Sequence, residues 1–365
     1  MTRIVIIGAG LLGASLADRL AARGADVTVV EGRRPGAGTS GSSFAWVNAQ
    51  DKAPAGYFAL NAAGVAAHRE LARSLGGDWY HPGGDIAIGR GAAAAKVRER
   101  IERHVALDYE VHELDRAAVA ALEPDLDLRG DDAFAAALFP AEAWIDPAAL
   151  IGRLLRRARS SGARILRAAE VVDLETRTGR LVEIVTRSGD RLSADCFVLA
   201  AGPATERLAG LAGVKLPMAP NPGLLAVTAP VALTLEHVIH AEEITIRPYG
   251  SDRLMLASRQ VDAALDPTIR EIATDAEPSR ELLARARPLI PDLGDAHLES
   301  ARIGVRSVAT DGMPVAGFAP GVENLYLLVS HSGATLAPVL GELVAGELFG
   351  GHADELDPYR PARFA

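Results

Sequence analysis

Cysteine is almost missing from this chain. Cys196 is the only one in 365 residues, so neither an internal disulfide nor a multi-cysteine metal site can form. No apolar run reaches the roughly 18 residues that a membrane-spanning helix needs. Basic excess is lacking too: 38 Lys and Arg stand against 47 Asp and Glu, a net charge of -9, so nucleic acid is not an expected partner. His81 and His240 have no companions at metal-ligand spacing, and no metal is expected. The first apolar strand begins at Ile4, leaving no room for a cleavable leader, and a cytoplasmic location is the expectation.

What is present is a large apolar fraction, 49% of residues, enough for two domains or one interleaved α/β body. Ile4-Val5-Ile6-Ile7 suits a buried parallel strand. It runs into Gly8-Ala9-Gly10-Leu11-Leu12-Gly13, after which Leu12, Leu16 and Leu20 recur at helical spacing until Gly24. Val27–Val30 makes a second strand, closed by Glu31. Further along, Asp146-Pro147 reads as the cap and first residue of a helix that buries Leu150, Ile151, Leu154, Leu155 and Ala158. Strands are expected in part of 165–174, at 181–186, 192–200, 224–228, 244–247, 254–257 and 325–329. Residues 91–125 and 267–290 are richer in helix formers, Leu336–Val344 carries a helical face, and an irregular tail is expected after Gly350.

The Gly8-x-Gly10-x-x-Gly13 spacing carries chemistry because strand, helix and acid surround it. Gly8 permits the tight turn, Gly10 lets the backbone approach a pyrophosphate, and Gly13 lets helix and strand pack closely. The helix N-terminus offers unpaired N–H groups and a positive dipole end to phosphates. Glu31 can accept hydrogen bonds from ribose hydroxyls and would repel a 2′-phosphate, which disfavours NADP. Two distant segments favour FAD over NAD: Phe197–Gly202, a second strand ending in glycine, and the stretch from Asp311–Gly317 to Ser330–Gly333. A long two-part cofactor touches the chain in this scattered way.

With these residues placed, the chain resembles the glycine oxidase, sarcosine oxidase and D-amino-acid oxidase or dehydrogenase family of flavoproteins. The resemblance rests on the opening glycine motif with Glu31, on Thr39–Ser43, Trp144-x-Asp146-Pro147 and Ala200-Ala201-Gly202. It continues through Gly304-x-Arg306 and Asp311-Gly312-x-Pro314-x-x-Gly317 to His331-Ser332-Gly333-x-x-Leu336-Ala337-Pro338. It implies a Rossmann-like FAD-binding domain (1–80, 145–218, 300–365) interleaved with an α+β substrate domain on a mostly antiparallel sheet (81–144, 219–299). By this resemblance the cofactor residues are Gly8, Gly10, Leu11, Leu12, Gly13, Glu31, Gly32, Arg33, Ser40, Ser42, Ser43, Trp46, Asn48, Val171, Ala200, Gly202, Gly304, Arg306, Ser332, Gly333, Ala334 and Thr335. Val171 would meet adenine through its backbone, and Gly333 would open the last helix near the pyrimidine end of the flavin.

The implied reaction oxidises the C–N bond of an amino acid or secondary amine, with hydride passing from Cα–H to the flavin. Oxygen or another acceptor would then take up the electrons. A carboxylate clamp is the main demand on the protein, and Arg306 is the first candidate, Arg247 the second. Tyr249 is a candidate to close the pocket; His331 is one to tune charge, accept a proton or cap the helix. The sequence departs from the family at one point and from its sarcosine oxidase branch at two. Ser307 stands where the family has proline after Arg306, no cysteine follows Cys196, and 259–267 contains no lysine. The second departure implies non-covalent FAD, and the third leaves the electron acceptor open. Oxidation of a 2-hydroxy acid, and a flavin-binding subunit without catalysis, are the competing readings.

Overall fold

A computed structural model describes residues 1–130, 132–219, 221–233 and 235–365. Its centre is a six-stranded sheet in the spatial order Val315–Phe318, Leu325–Val329, Cys196–Leu199, Arg3–Ile7, Asp26–Val30 and Arg164–Leu166. All neighbours run parallel except the first pair. The apolar run at residues 4–7 is buried on both faces: Ile4 and Ile6 pack on helices, Val5 and Ile7 on the opposite layer. The helices are Leu11–Ala22, Pro147–Ser160 and Gly333–Leu348; the opposite layer is a three-stranded antiparallel sheet including Val171–Arg177 and Arg180–Thr186.

An eight-stranded sheet stands beside it, in the order Leu298–Val305, Pro222–Thr228, Arg253–Ala257, Thr245–Tyr249, Val238–Ala241, Asp85–Arg90, Phe134–Phe139 and His112–Leu114. One pair, Val238–Ala241 with Asp85–Arg90, is parallel, and the rest are antiparallel. Strand alternation sorts its side chains. Leu224, Ala226, Ile246, Leu254 and Leu256 join a core that includes Leu282 and Leu283 of the helix Glu277–Ala286. Leu225, Val227 and Met255 point the other way and pack with Phe44. Strand Leu298–Val305 runs across residue 300, where the sequence suggests a boundary.

Local chemistry explains most helix ends. Asp146 caps its helix by accepting the Ala148 and Ala149 N–H groups at 2.8 and 3.0 Å, with Pro147 at the first position. The expected strand over 165–174 divides: Arg164–Leu166 enters the parallel sheet and Val171–Arg177 the antiparallel layer. The tail differs from expectation. After Gly350 it forms 3-10 turns at Asp354–Tyr359 and Pro361–Phe364. Arg360 bonds Glu347 at 2.9 Å and Arg363 bonds Asp311 at 2.6 Å, so charge pairs fix a segment that has little apolar pattern to announce it. No described helix is long and apolar enough to cross a membrane.

Candidate active site

The parallel sheet positions the first half of the site. Gly8 ends the first strand at φ +108°, and a Cβ there would lie 2.4 Å from the Ala200 carbonyl oxygen. A Cβ on Gly13 would lie 2.0 Å from the Gly8 oxygen, so helix and strand meet at backbone distance. Gly10 is different: its φ is an ordinary -77°, and a Cβ would meet only the Ser40 hydroxyl, at 3.0 Å. That hydroxyl accepts the Leu11 N–H at 3.1 Å. Glu31 closes the second strand; its two carboxylate oxygens accept the Ala9 and Arg33 N–H groups at 2.9 and 2.8 Å. One N–H per oxygen leaves lone pairs for ribose hydroxyls.

These residues border a cleft of about 380 Å³. Of the expected cofactor residues, Gly8, Gly10, Leu11, Leu12, Glu31, Gly32, Arg33, Ser40, Ser43, Val171, Ala200, Gly202, Gly333 and Ala334 line it. Gly13 lies beneath. Ser42 and Gly304 pack against each other instead, a Cβ on Gly304 falling 2.3 Å from the Ser42 oxygen. Asn48 donates its backbone N–H to Thr335 Oγ1 at 3.1 Å, and Ser332 shares a 2.7 Å hydrogen bond with Tyr57. Near the head of the last helix, Trp46 Nε1, Asn48 Oδ1 and Ser330 Oγ are buried with no partner among the described residues. An unpaired buried polar atom costs about 1–3 kcal/mol. Of these three residues only Ser330 lines the cleft; its open hydroxyl suits a polar ring edge, and with the glycine cradle and Glu31 it fits FAD.

A second hollow of about 540 Å³ is lined by Asn221, Pro222, Arg259, Asp262, Arg306 and others, and it meets the cleft at His331. Arg306 is held firmly. Its Nη1 donates to Asn221 Oδ1 at 2.9 Å and the Pro222 oxygen at 3.1 Å, while Nη2 pairs with Asp262. The other Asp262 oxygen accepts the Leu224 N–H at 2.8 Å. Of the five guanidinium hydrogens, Nε–H and one on Nη2 are left over, enough for a bidentate carboxylate. The His331 ring opens onto the hollow. Desolvation by the surrounding protein, with Arg306, Lys52 and Arg259 nearby, lowers its pKa to about 4, so it is neutral at pH 7. Ser332, not His331, occupies the cap position of the last helix, and no side chain makes a cap bond there.

Arg247 and Tyr249 line neither hollow. Arg247 is 2% exposed and lies 4.4 Å over the Trp144 ring, donating to the Phe44 and Pro248 oxygens at 2.7 Å each. Burial lowers its pKa to about 9. Tyr249 flanks it at 5.8 Å, and His81 stacks on Trp144 at 3.6 Å. His240 stacks on Trp46 at 5.1 Å.

Sequence reasoning missed Asn221, Arg259, Asp262 and Lys52, which no spacing connects. It also missed a buried acid pair. Gln50 Nε2 donates to Asp85 at 2.7 Å and to Glu142 at 2.8 Å, and burial pushes both carboxyls up.

The profile of a family described as FAD dependent oxidoreductase matches residues 3–347. Glycine oxidase of Geobacillus kaustophilus (strain HTA426) is 26% identical over 357 residues, covering 94% of this chain and 91% of that protein. Among solved structures, iminodiacetate oxidase from Chelativorans sp. BNC1 is 26% identical with a TM-score of 0.84, covering 98% of this chain and 99% of that one. L-proline dehydrogenase from P. horikoshii shares the fold at a TM-score of 0.88 and 20% identity, covering 100% of this chain and 97% of that one.

Proposed function

The chain belongs to the family of FAD-dependent oxidoreductases, and on that premise we propose that its second hollow takes a small amino acid or secondary amine by the carboxylate, with Arg306 as the clamp. The enzyme oxidises the C–N bond of such a substrate to the imine. Its FAD is non-covalent. In keeping with that, the one thiol, Cys196, is buried in a central strand with its pKa pushed up to about 12. The observation that carries the reading of the site is the junction at His331, where the cleft that fits the dinucleotide meets the hollow that holds Arg306. The names of glycine oxidase and iminodiacetate oxidase, small amines bearing carboxylates, support it.

Bound FAD supplies the hydride acceptor for the substrate Cα–H. The residues of the chain do the rest by placement. Arg306, fixed by Asn221 and Asp262, offers Nε–H and the remaining Nη2 hydrogen to the carboxylate. Neutral His331 accepts a hydrogen bond from the amine without holding its proton, because its pKa is too low. The amine proton therefore leaves to water, and the imine is hydrolysed by water. We assign the dinucleotide to segments 1–80, 145–218 and 300–365, and the substrate walls to 81–144 and 219–299. Oxygen or another acceptor reoxidises the cofactor, and a free, buried thiol suits a cytoplasmic location.

Removing Arg306 tests the clamp. Arg306→Ala should weaken substrate binding by about 2–5 kcal/mol, roughly 30-fold or more, as for other broken charge pairs. Asp262, 8% exposed, would be stranded in that variant. The double variant Arg306→Ala/Asp262→Asn removes the stranded charge and should show the same loss. Unchanged apparent affinity in both rules the clamp out.

A further inference from the structure

The last helix, Gly333–Leu348, carries a proline in its second turn, at Pro338. An α-helix sends the N–H of residue 338 to the Ala334 carbonyl, four residues back. Proline has no such hydrogen, and its ring crowds that carbonyl. The Ala334 oxygen is bonded all the same. His68, from the helix Ala55–Leu75, reaches across and donates its Nε2–H at 2.7 Å. A carbonyl only accepts, so Nε2 carries the ring hydrogen and Nδ1 does not.

His68 is fully buried, with its ring beside those of Trp79 and Tyr80 at 5.9 and 6.3 Å. Its Nδ1 has no partner among the described residues. Burial lowers the ring's pKa to about 4, so it is neutral at pH 7. A dry imidazole with one nitrogen unused is a poor core filler; what this residue type supplies here is the single bond to Ala334. The same face of its helix meets the same turn elsewhere. The Tyr57 hydroxyl bonds Ser332 at 2.7 Å, and a Cβ on Gly64 would lie 2.6 Å from the Thr335 oxygen.

That turn faces the cleft. Ser330, His331, Gly333 and Ala334 line it, the Ser330 hydroxyl is buried without a partner, and no side chain caps the helix. The peptide plane that holds the Ala334 oxygen holds the Thr335 N–H on its opposite side, so fixing the oxygen aims that N–H out of the head of the helix. Hydride transfer to the flavin leaves one net negative charge on the ring, and aimed N–H groups at a helix start stabilise such charge.

We propose that His68 is a positioning residue for the flavin: by supplying the hydrogen bond that Pro338 withholds, it fixes the first turn of the last helix toward the ring and favours the reduced cofactor over the oxidised one. The inference rests on the reading that the flavin end of the dinucleotide lies against this turn.

The test is the two-electron reduction potential of the FAD-loaded enzyme, read against reference dyes. A change that loosens the fold and weakens both cofactor forms alike leaves that potential in place. His68→Leu should lower it by about 15–30 mV, roughly three- to tenfold toward the oxidised form. His68→Gln, whose amide nitrogen reaches as far as Nε2, should keep most of the parent value. Pro338→Ala puts back the missing N–H, so His68→Leu/Pro338→Ala should recover the potential. If His68→Leu does not hold FAD, recovery of both FAD and potential in the double variant supports the proposal equally. A potential unmoved by His68→Leu, or a loss that Pro338→Ala does not repair, overturns it. Ser330→Ala keeps that failure apart from failure of the reading beneath it. A shifted oxidised flavin spectrum in Ser330→Ala, with the potential unmoved in His68→Leu, refutes the role of His68 alone. An unmoved spectrum as well removes the flavin from this turn. Neither measurement uses an amine, so both stand apart from the substrate chemistry.

Discussion

Replacing Gly10 by alanine separates a glycine kept for a cofactor from one kept for the fold. The backbone at Gly10 is at φ -77°, which alanine adopts freely, and the new Cβ meets only the tip of Ser40, at 3.0 Å. Loss of unfolded-state freedom stabilises such a variant by about 0.4–1 kcal/mol. Disturbing the bond from Leu11 N–H to Ser40 removes about 0.5–1.5 kcal/mol. The two nearly cancel, so the apoprotein should unfold in urea within about 1 kcal/mol of the parent. Cofactor binding has no such offset. A methyl group pushed into the surface that receives the pyrophosphate costs about 1–3 kcal/mol as overpacking, or about 5- to 150-fold in Kd. Quenching of FAD fluorescence on titration with apoprotein reads that constant. Gly13→Ala is the contrast, because its Cβ would lie 2.0 Å from the Gly8 oxygen and must damage the apoprotein as well. An FAD affinity unchanged by Gly10→Ala would refute the placing of the pyrophosphate at this turn.

Two further expectations concern charges away from the cleft. Arg157 holds Asp18 through two bonds of 2.6 Å, with Asp18 3% and Arg157 35% exposed. A fully buried pair costs about 3–5 kcal/mol to break, and the exposure of Arg157 reduces this, so Arg157→Ala should lose about 2–3 kcal/mol in urea unfolding. A loss near zero would show that water already serves Asp18. Asp85 and Glu142 are pushed up chiefly by burial, Glu142 from 4.5 to about 7. Their folded pKa values exceed the unfolded ones, so their contribution to stability is complete below the ordinary carboxylate range and is lost as pH rises through about 7. Asp85→Asn removes one of the two titrations, and its Tm should fall less than the parent's across that window. Parallel Tm curves would count against the buried pair.

The dinucleotide half of the site was legible because it is local. Gly8, Gly10, Gly13 and Glu31 lie within one strand–helix–strand unit, and spacing along the chain translates directly into geometry. Asp146-Pro147 was legible for the same reason. The substrate half was not. Arg306 could be singled out by resemblance, but its partners Asn221 and Asp262 lie 85 and 44 residues away, the first brought in beside a paired strand and the second by the short helix Arg259–Ala263. Arg247 stood second to it as a candidate, yet the alternation of its strand and the rings of Phe44 and Trp144 remove it from the hollow. Lys52 and the Gln50–Asp85–Glu142 cluster had no signal at all, since single polar residues in loops and at strand ends carry no period.

Anaerobic titration of the FAD-loaded enzyme with small amino acids and secondary amines tests the central claim most directly. At least one of them should bleach the visible flavin band in proportion to the amount added, with an equal amount of oxo acid appearing after hydrolysis of the imine. A flavin band left intact by every amine, while a 2-hydroxy acid bleaches it, would contradict C–N oxidation at this site.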